Sequence, residues 1–344
     1  MNNYWAFLPM RDSNDLLGDP EALRARLEQD SYLLLRGVLD TRDVLALRHD
    51  ILSALAEVGW VRGGRDLMEG IATGAPCREG EPEFFVGNDA VQRLERFHGL
   101  AHRPELLELM RQVVGPSAFP HPLKIARLSF PEHYEISTPP HQDYPNNQGT
   151  ETLTAAWVPV GDCPRSLGGL AVLRGSHRYG VLPLDRHMAA GMRCAVIPEE
   201  MLEELRWVTT DFRTGDVLLF PSTTVHAALH NCSEFNMRIS VDFRYQLEGE
   251  PLTPIVLEPH FRNLTWAQVY EGWSSTELQY YWRDLDYEVV EFDDFELVSP
   301  ADDQRDLDAL QGYMRRNAAR RERRGRRLAE ADGGRRRGRW RRSR

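Results

Sequence analysis

Along the first third of the chain, apolar positions recur at helical spacing. Val44, Leu47, Ile51, Leu55 and Val58 fall on one stripe of DTRDVLALRHDILSALAEVGW, which predicts an amphipathic helix. A second is predicted in DPEALRARLEQD, where Asp19 suits the N-cap, Pro20 the first helical position, and Leu23 and Leu27 lie four apart. RPELLELMRQVVG predicts a third, ended by Gly115 and Pro116. SYLLLRGV reads as a short buried strand between helices. From about residue 118 the pattern changes. HPLKIARLSF, TLTAAWVPV, GGLAVLRGSH, ELRWVTTDF, GDVLLFPSTTVHAAL and NMRISVDFRYQL are short apolar or alternating runs separated by Gly, Pro, Asn and Asp. Such strands, with no long helix between them, predict a β-sandwich or barrel rather than a parallel α/β sheet. After Glu250 the aromatic stretch LTWAQVYEGWSSTELQYYWRDLDYE predicts short helices wrapped over that core. The expected organisation is one unit over residues 1–310, with a helical part at 1–117, a β core at 118–250 and a wrapping segment at 251–310. Residues 311–344 are left as an appendage.

Composition adds compartment and partner. A hydrophobic fraction of 42% and eight Trp suit a packed core. The four cysteines, Cys77, Cys163, Cys194 and Cys232, form no Cys-x-x-Cys pair, which fits reduced thiols and a cytoplasmic protein. No basic segment followed by an apolar run opens the chain, and no stretch reaches the roughly 20 apolar residues of a membrane span. The net charge of −10 hides a division. Residues 311–344 carry 15 Arg against three acids, or +12, leaving 27 bases and 49 acids, or −22, on residues 1–310. Such a body repels polyanions and argues against nucleic acid and acyl-CoA, favouring a small-molecule partner. The Arg-rich tail is the one argument for nucleic acid. Its simplest reading is a disordered, solvated extension or a frayed helix.

Candidate chemistry begins in PPHQDYPNNQGT. In an extended strand His141 and Asp143 project to the same face, so imidazole and carboxylate can converge. About one such triplet is expected by chance in a chain of this composition, so the spacing alone decides nothing. A third ligand is offered by His226, with His230 and His177 as competitors. Arg238 lies as far beyond Cys232 as His226 lies before it, so a hairpin turn in HNCSEF would set the two opposite each other. Ser240 would share that face. Two His and one carboxylate on one octahedral face suit a non-haem Fe(II) oxygenase, whose open positions take a 2-oxo acid and O2. The distal carboxylate of 2-oxoglutarate then calls for an Arg fork. Structural zinc would want four closed ligands and usually thiolates.

Residues 118–247 resemble the phytanoyl-CoA dioxygenase-like family of Fe(II)/2-oxoglutarate oxygenases. The matching pieces are His141–Asp143, TAAWVPVGD (154–162), GGLAVLRGSH (168–177), GDVLLFPSTTVH (215–226) and RIS (238–240). With the helical N-terminus the resemblance covers about 250 residues. It implies a double-stranded β-helix (jelly-roll, cupin-like) core with flanking α-helices, mostly at the N-terminus. It places His141, Asp143 and His226 on iron, Arg238 on 2-oxoglutarate, and Trp157 beside the co-substrate pocket. The chain departs from the family in three places: Ala228 stands where Ser or Thr is common, Arg174 replaces a Pro before GSH, and Arg238 follows His226 by twelve residues rather than eleven.

Further candidates are Ser240, and one of Lys124, Arg127 or Ser129, for the co-substrate. Tyr144, Asn146, Asn147 and Gln148, in the polar loop after the metal pair, are candidates for the substrate mouth. The resulting expectation is hydroxylation of an aliphatic C–H in a small molecule, with release of succinate and CO2. The carboxylate of Asp143 speaks against halogenation, whose enzymes keep a small residue there. Desaturation, cyclisation or epimerisation on the same scaffold, and a non-catalytic jelly-roll binder, are the alternatives.

Overall fold

The computed structural model describes residues 7–74, 76–77, 79, 81–131, 138–189, 192–293 and 297–298, so the Arg-rich tail lies outside the described residues. Five helices come first: α1 (Pro20–Asp30), α2 (Thr41–Glu57), α3 (Pro82–Gln92), α4 (Glu95–Leu100) and α5 (Pro104–Val113). Asp19 caps α1 by accepting from the Ala22 N–H at 3.0 Å, a contact of about 1 kcal/mol in such positions. The apolar stripe of α2 is buried at Val44, Leu47, Ile51 and Leu55, as its periodicity predicts.

The strands are β1 (Leu8–Pro9), β2 (Leu33–Leu35), β3 (Ala118–Pro120), β4 (Ile125–Ser129), β5 (Thr154–Pro159), β6 (Leu170–Leu173), β7 (Leu184–Ala189) and β8 (Met192–Ala195). They continue with β9 (Trp207–Thr209), β10 (Val217–Pro221), β11 (His226–Ala228), β12 (Arg238–Leu247) and β13 (Leu297–Val298). One antiparallel sheet runs β2-β10-β5-β12, with β3 and β4 sharing the far edge of β12. A second runs β1-β9-β6-β11, and a third β13-β7-β8. The segment at His141 bridges the last two, pairing with His226 of β11 on one side and Cys194 of β8 on the other. The strands group into a sandwich of two mainly antiparallel layers.

The first sheet is buried on both faces. Leu33, Leu35, Val158, Leu219, Ile239, Val241 and Phe243 pack against the helical stripes of α2 and its neighbours. From the other face Leu34, Ala155, Trp157, Leu218 and Phe220 meet Leu170, Val172, Val208 and Phe212 of the facing layer. Strand β12 departs from this pattern. Its alternate residues Arg238, Ser240, Asp242, Arg244 and Gln246 are all buried. A row of buried polar groups needs partners, and those partners define the site.

The hairpin expected between His226 and Arg238 does not form. His226 pairs with Val172 and His141, whereas Arg238 pairs with Ser129 of β4 in the other sheet. The chain crosses from one layer to the other within 229–237, and a crossover takes more residues than a tight turn. Strands β7 and β8 had no alternating pattern strong enough to announce them. After Glu250 short helices occur as expected, among them Pro254–Leu257 and Trp266–Val269.

Candidate metal centre

His141, Asp143 and His226 each offer one ligand atom, and these atoms lie within 4.8 Å of one another, all buried. Nε2 of His141 and of His226 stand 3.9 and 4.0 Å from the same Asp143 oxygen, Oδ1. Backbone pairing sets the distance between the imidazoles: His141 and His226 exchange N–H···O bonds of 3.0 Å in both directions. The third donor follows a tight turn into the short helix α6 (Tyr144–Asn147), where Asn146 and Asn147 N–H groups donate to the Asp143 carbonyl.

Each ring is oriented by its other nitrogen. Nδ1 of His141 lies 2.8 Å from the Pro139 carbonyl and Nδ1 of His226 lies 3.0 Å from that of Thr224. A carbonyl only accepts, so Nδ1 carries the proton and Nε2 presents a lone pair to the centre. Burial lowers the pKa of both imidazoles, keeping them neutral. Burial alone would raise Asp143, but the Arg244 guanidinium forked on its carboxylate holds it well below the ordinary carboxylate range. Arg244 Nη2 donates to Oδ1 at 2.7 Å and Nε to Oδ2 at 3.2 Å. Gln142, the residue between the two donors, is fully buried; its amide donates to the carbonyls of Gly180 and Thr223 and accepts from the Leu182 N–H.

The donor set fits a divalent iron. Two neutral imidazoles and one carboxylate converge, and His141 Nε2 is a buried acceptor with no hydrogen-bond partner among the described residues. No thiolate takes part. Buried donors also go unpaired farther along the same wall: Arg238 Nε and Trp157 Nε1 have no partner among the described residues. Arg238 Nη1 donates to Ser240 Oγ at 2.7 Å. Trp157, opposite Asp242 in the β5–β12 ladder, packs its ring 4.7 Å from Phe212.

The remaining candidates divide. Arg127 sits in ion pairs with Glu79 (2.8 Å) and Asp242 (3.0 Å) and lines a cavity of about 380 Å³ with Asp143 and Arg244. Ser129 is directly opposite Arg238, at the end of β4. Lys124 is directed elsewhere: its buried ammonium donates to the His121 and Pro122 carbonyls and to the Tyr281 hydroxyl. It precedes the first residue of β4, and alternation along that strand sends it away from Ile125, Arg127 and Ser129. Asn146 and Asn147 line the cavity; Tyr144 and Gln148 do not. Gln148 instead makes two 2.7 Å bonds to the backbone of Asp293. His230 is exposed, and His177 lies 3.6 Å from Glu28, both outside the donor set.

Arg244, Asp242, Glu79 and His260 belong to this region without having been singled out from the sequence. Period-two counting from Arg238 reaches Asp242 and Arg244, so that signal was available. Glu79 arrives from a distant loop and His260 from a short 3-10 helix (His260–Arg262), and neither leaves a local pattern.

The chain is 29% identical over 252 residues to the 1-deoxypentalenic acid 11-beta-hydroxylase of Streptomyces arenae, covering 70% of this chain and 86% of that protein. It is 26% identical over 246 residues to the enzyme of the same name from Streptomyces exfoliatus, covering 68% and 84%. Among solved structures, the non-heme alpha ketoglutarate dependent carbocyclase SnoK from nogalamycin biosynthesis superposes with a TM-score of 0.51 at 19% identity. That match covers 74% of this chain and 94% of SnoK, and it speaks to the fold alone. A family model described as phytanoyl-CoA dioxygenase (PhyH) matches residues 27–240, the greater part of the sequence, and the chain belongs to that family of iron- and 2-oxoglutarate-dependent oxygenases.

Proposed function

We propose that His141, Asp143 and His226 hold the iron, that Arg238 and Ser240 seat the distal carboxylate of 2-oxoglutarate, and that the enzyme hydroxylates an aliphatic carbon of a small molecule. The observation that carries this reading is the convergence of three donor atoms within 4.8 Å in a buried site. On this reading the two layers form a double-stranded β-helix, and residues 1–310 act as one oxygenase unit.

Iron with 2-oxoglutarate and O2 supplies an oxidant for an unactivated C–H bond and releases succinate and CO2. The chain's own residues supply geometry. Arg238 offers a planar, permanently charged fork at the depth of the sandwich, with Ser240 Oγ steadying one arm. Trp157 brings an apolar wall to the same face, and an indole N–H with no partner among the described residues. The substrate end is the cavity of about 380 Å³, where Ile125, Ile255, Phe261 and Phe292 give apolar surface beside Asn146 and Arg127. That mixture suits a largely apolar molecule with a few polar groups. The named activity of the Streptomyces relatives, hydroxylation of 1-deoxypentalenic acid, supports a small organic acid as substrate here as well.

Anaerobic titration with Fe(II) and 2-oxoglutarate, followed by succinate measurement in air over a panel of small organic acids that includes 1-deoxypentalenic acid, tests the reading. A visible charge-transfer band and substrate-stimulated succinate release are expected. Absence of both sinks it.

A further inference from the structure

Asp143 has a guanidinium as its neighbour. Arg244 lays Nη2 on Oδ1 (2.7 Å) and Nε on Oδ2 (3.2 Å), a side-on fork that spans the O–C–O edge of the carboxylate. Both residues are buried, at 2% and 1% side-chain exposure. The fork is itself held, because Arg244 Nη1 lies 3.8 Å from Asp242 Oδ2, whose carboxylate is bonded to Arg127. Oδ1 faces the two imidazole Nε2 atoms, while Oδ2 accepts from the guanidinium.

A carboxylate chelates a cation through the edge between its two oxygens. Here that edge is occupied by a guanidinium, so only the remaining lone pair of Oδ1 is free to point at a metal. We propose that Arg244 is a positioning residue that keeps Asp143 a one-oxygen ligand. It thereby leaves small-molecule ligands one more coordination position than a chelating carboxylate would. With iron bound, two His and one carboxylate oxygen would fill three of six positions and 2-oxoglutarate two, so the position at stake would be the one a diatomic needs. A lysine could not do this work, having a compact ammonium in place of a planar two-donor edge.

The inference rests on the iron-site reading above, and iron binding by the wild-type enzyme reports on that reading separately. The test uses anaerobic enzyme loaded with Fe(II) and 2-oxoglutarate. Nitric oxide stands in for O2, and its adduct is titrated by electron paramagnetic resonance. Arg244→Met and Arg244→Lys are expected to hold iron within about tenfold of wild type while binding nitric oxide at least about tenfold more weakly. The charge-conserving lysine variant decides the matter if the methionine variant does not fold. Nitric oxide affinity equal to wild type in the folded variants overturns the proposal. So does loss of iron itself from a folded lysine variant, since Arg244 would then build the site rather than set how Asp143 binds.

Discussion

His141 and His226 exchange both of their backbone hydrogen bonds, at 3.0 Å each way, so two ligands remote in sequence are set side by side by main chain alone. This separates the scaffold from the chemistry, because the pairing does not depend on either imidazole. His226→Ala is expected to fold with little change in melting temperature and to lose Fe(II) by more than about 100-fold in affinity, beyond the effect of losing an outer partner. Calorimetric titration with Fe(II), or Co(II) as a substitute, alongside circular dichroism, reads both quantities.

Asp143 behaves differently, because its loss strands a buried guanidinium. Asp143→Ala is expected to cost stability on the order of 3–5 kcal/mol as well as abolishing the metal site, because the buried Arg244 is left with only its 3.8 Å contact to Asp242. In the double variant Asp143→Ala/Arg244→Met most of that stability should return while the metal site stays lost. Urea denaturation of the three proteins checks the cycle, and equal stability of the single and double variants contradicts it.

Arg238 touches none of the three donors; its bonded partner is Ser240. Arg238→Met is therefore expected to raise KM for 2-oxoglutarate roughly 10- to 100-fold, the worth of a charged hydrogen-bond pair, with iron affinity unchanged. Steady-state succinate assays with a parallel iron titration separate the two effects.

Lys124 is the chain's one lysine and is wholly buried with no carboxylate partner among the described residues, and burial lowers its pKa to about 7. An unfolded lysine titrates near 10.4, so between about pH 7 and 10 the unfolded chain binds the extra proton and stability rises with pH. Below pH 7 the buried ammonium costs its full penalty. Lys124→Met should thus gain on wild type as pH falls from 10 to 6, and lose at high pH, where the neutral amine keeps its bonds to the His121 and Pro122 carbonyls. Denaturation at four pH values measures this; a difference independent of pH rejects it.

Much of the architecture is legible in the residues. The stripe of α2, the cap of α1 and the alternating runs behind β5, β6, β9, β10, β11 and β12 come from local periodicity, which side-chain burial enforces directly. His141, Asp143 and His226 could be grouped because motif order points to them, although Asp143 sits in the turn that opens α6 and not, as strand spacing suggested, in an extended strand. Less legible was anything that depends on which layer a strand joins. His226 and Arg238 look like a hairpin because twelve residues suit one, yet β11 and β12 belong to different sheets. Lys124 shows the register problem, since one position decides whether a side chain enters the site or leaves it. Glu79 entered through a tertiary ion pair that no local pattern encodes.

Gln142 has a consequence of its own. The residue lodged between two donors is itself a cross-tie, fastening the turn at Gly180 and Leu182 to the loop at Thr223 that leads into the last donor. Transplanting His141 and Asp143 into another strand with a permissive spacer would carry the donors without their anchorage. A pair so grafted would wander, and the metal's grip would weaken even with every ligand present.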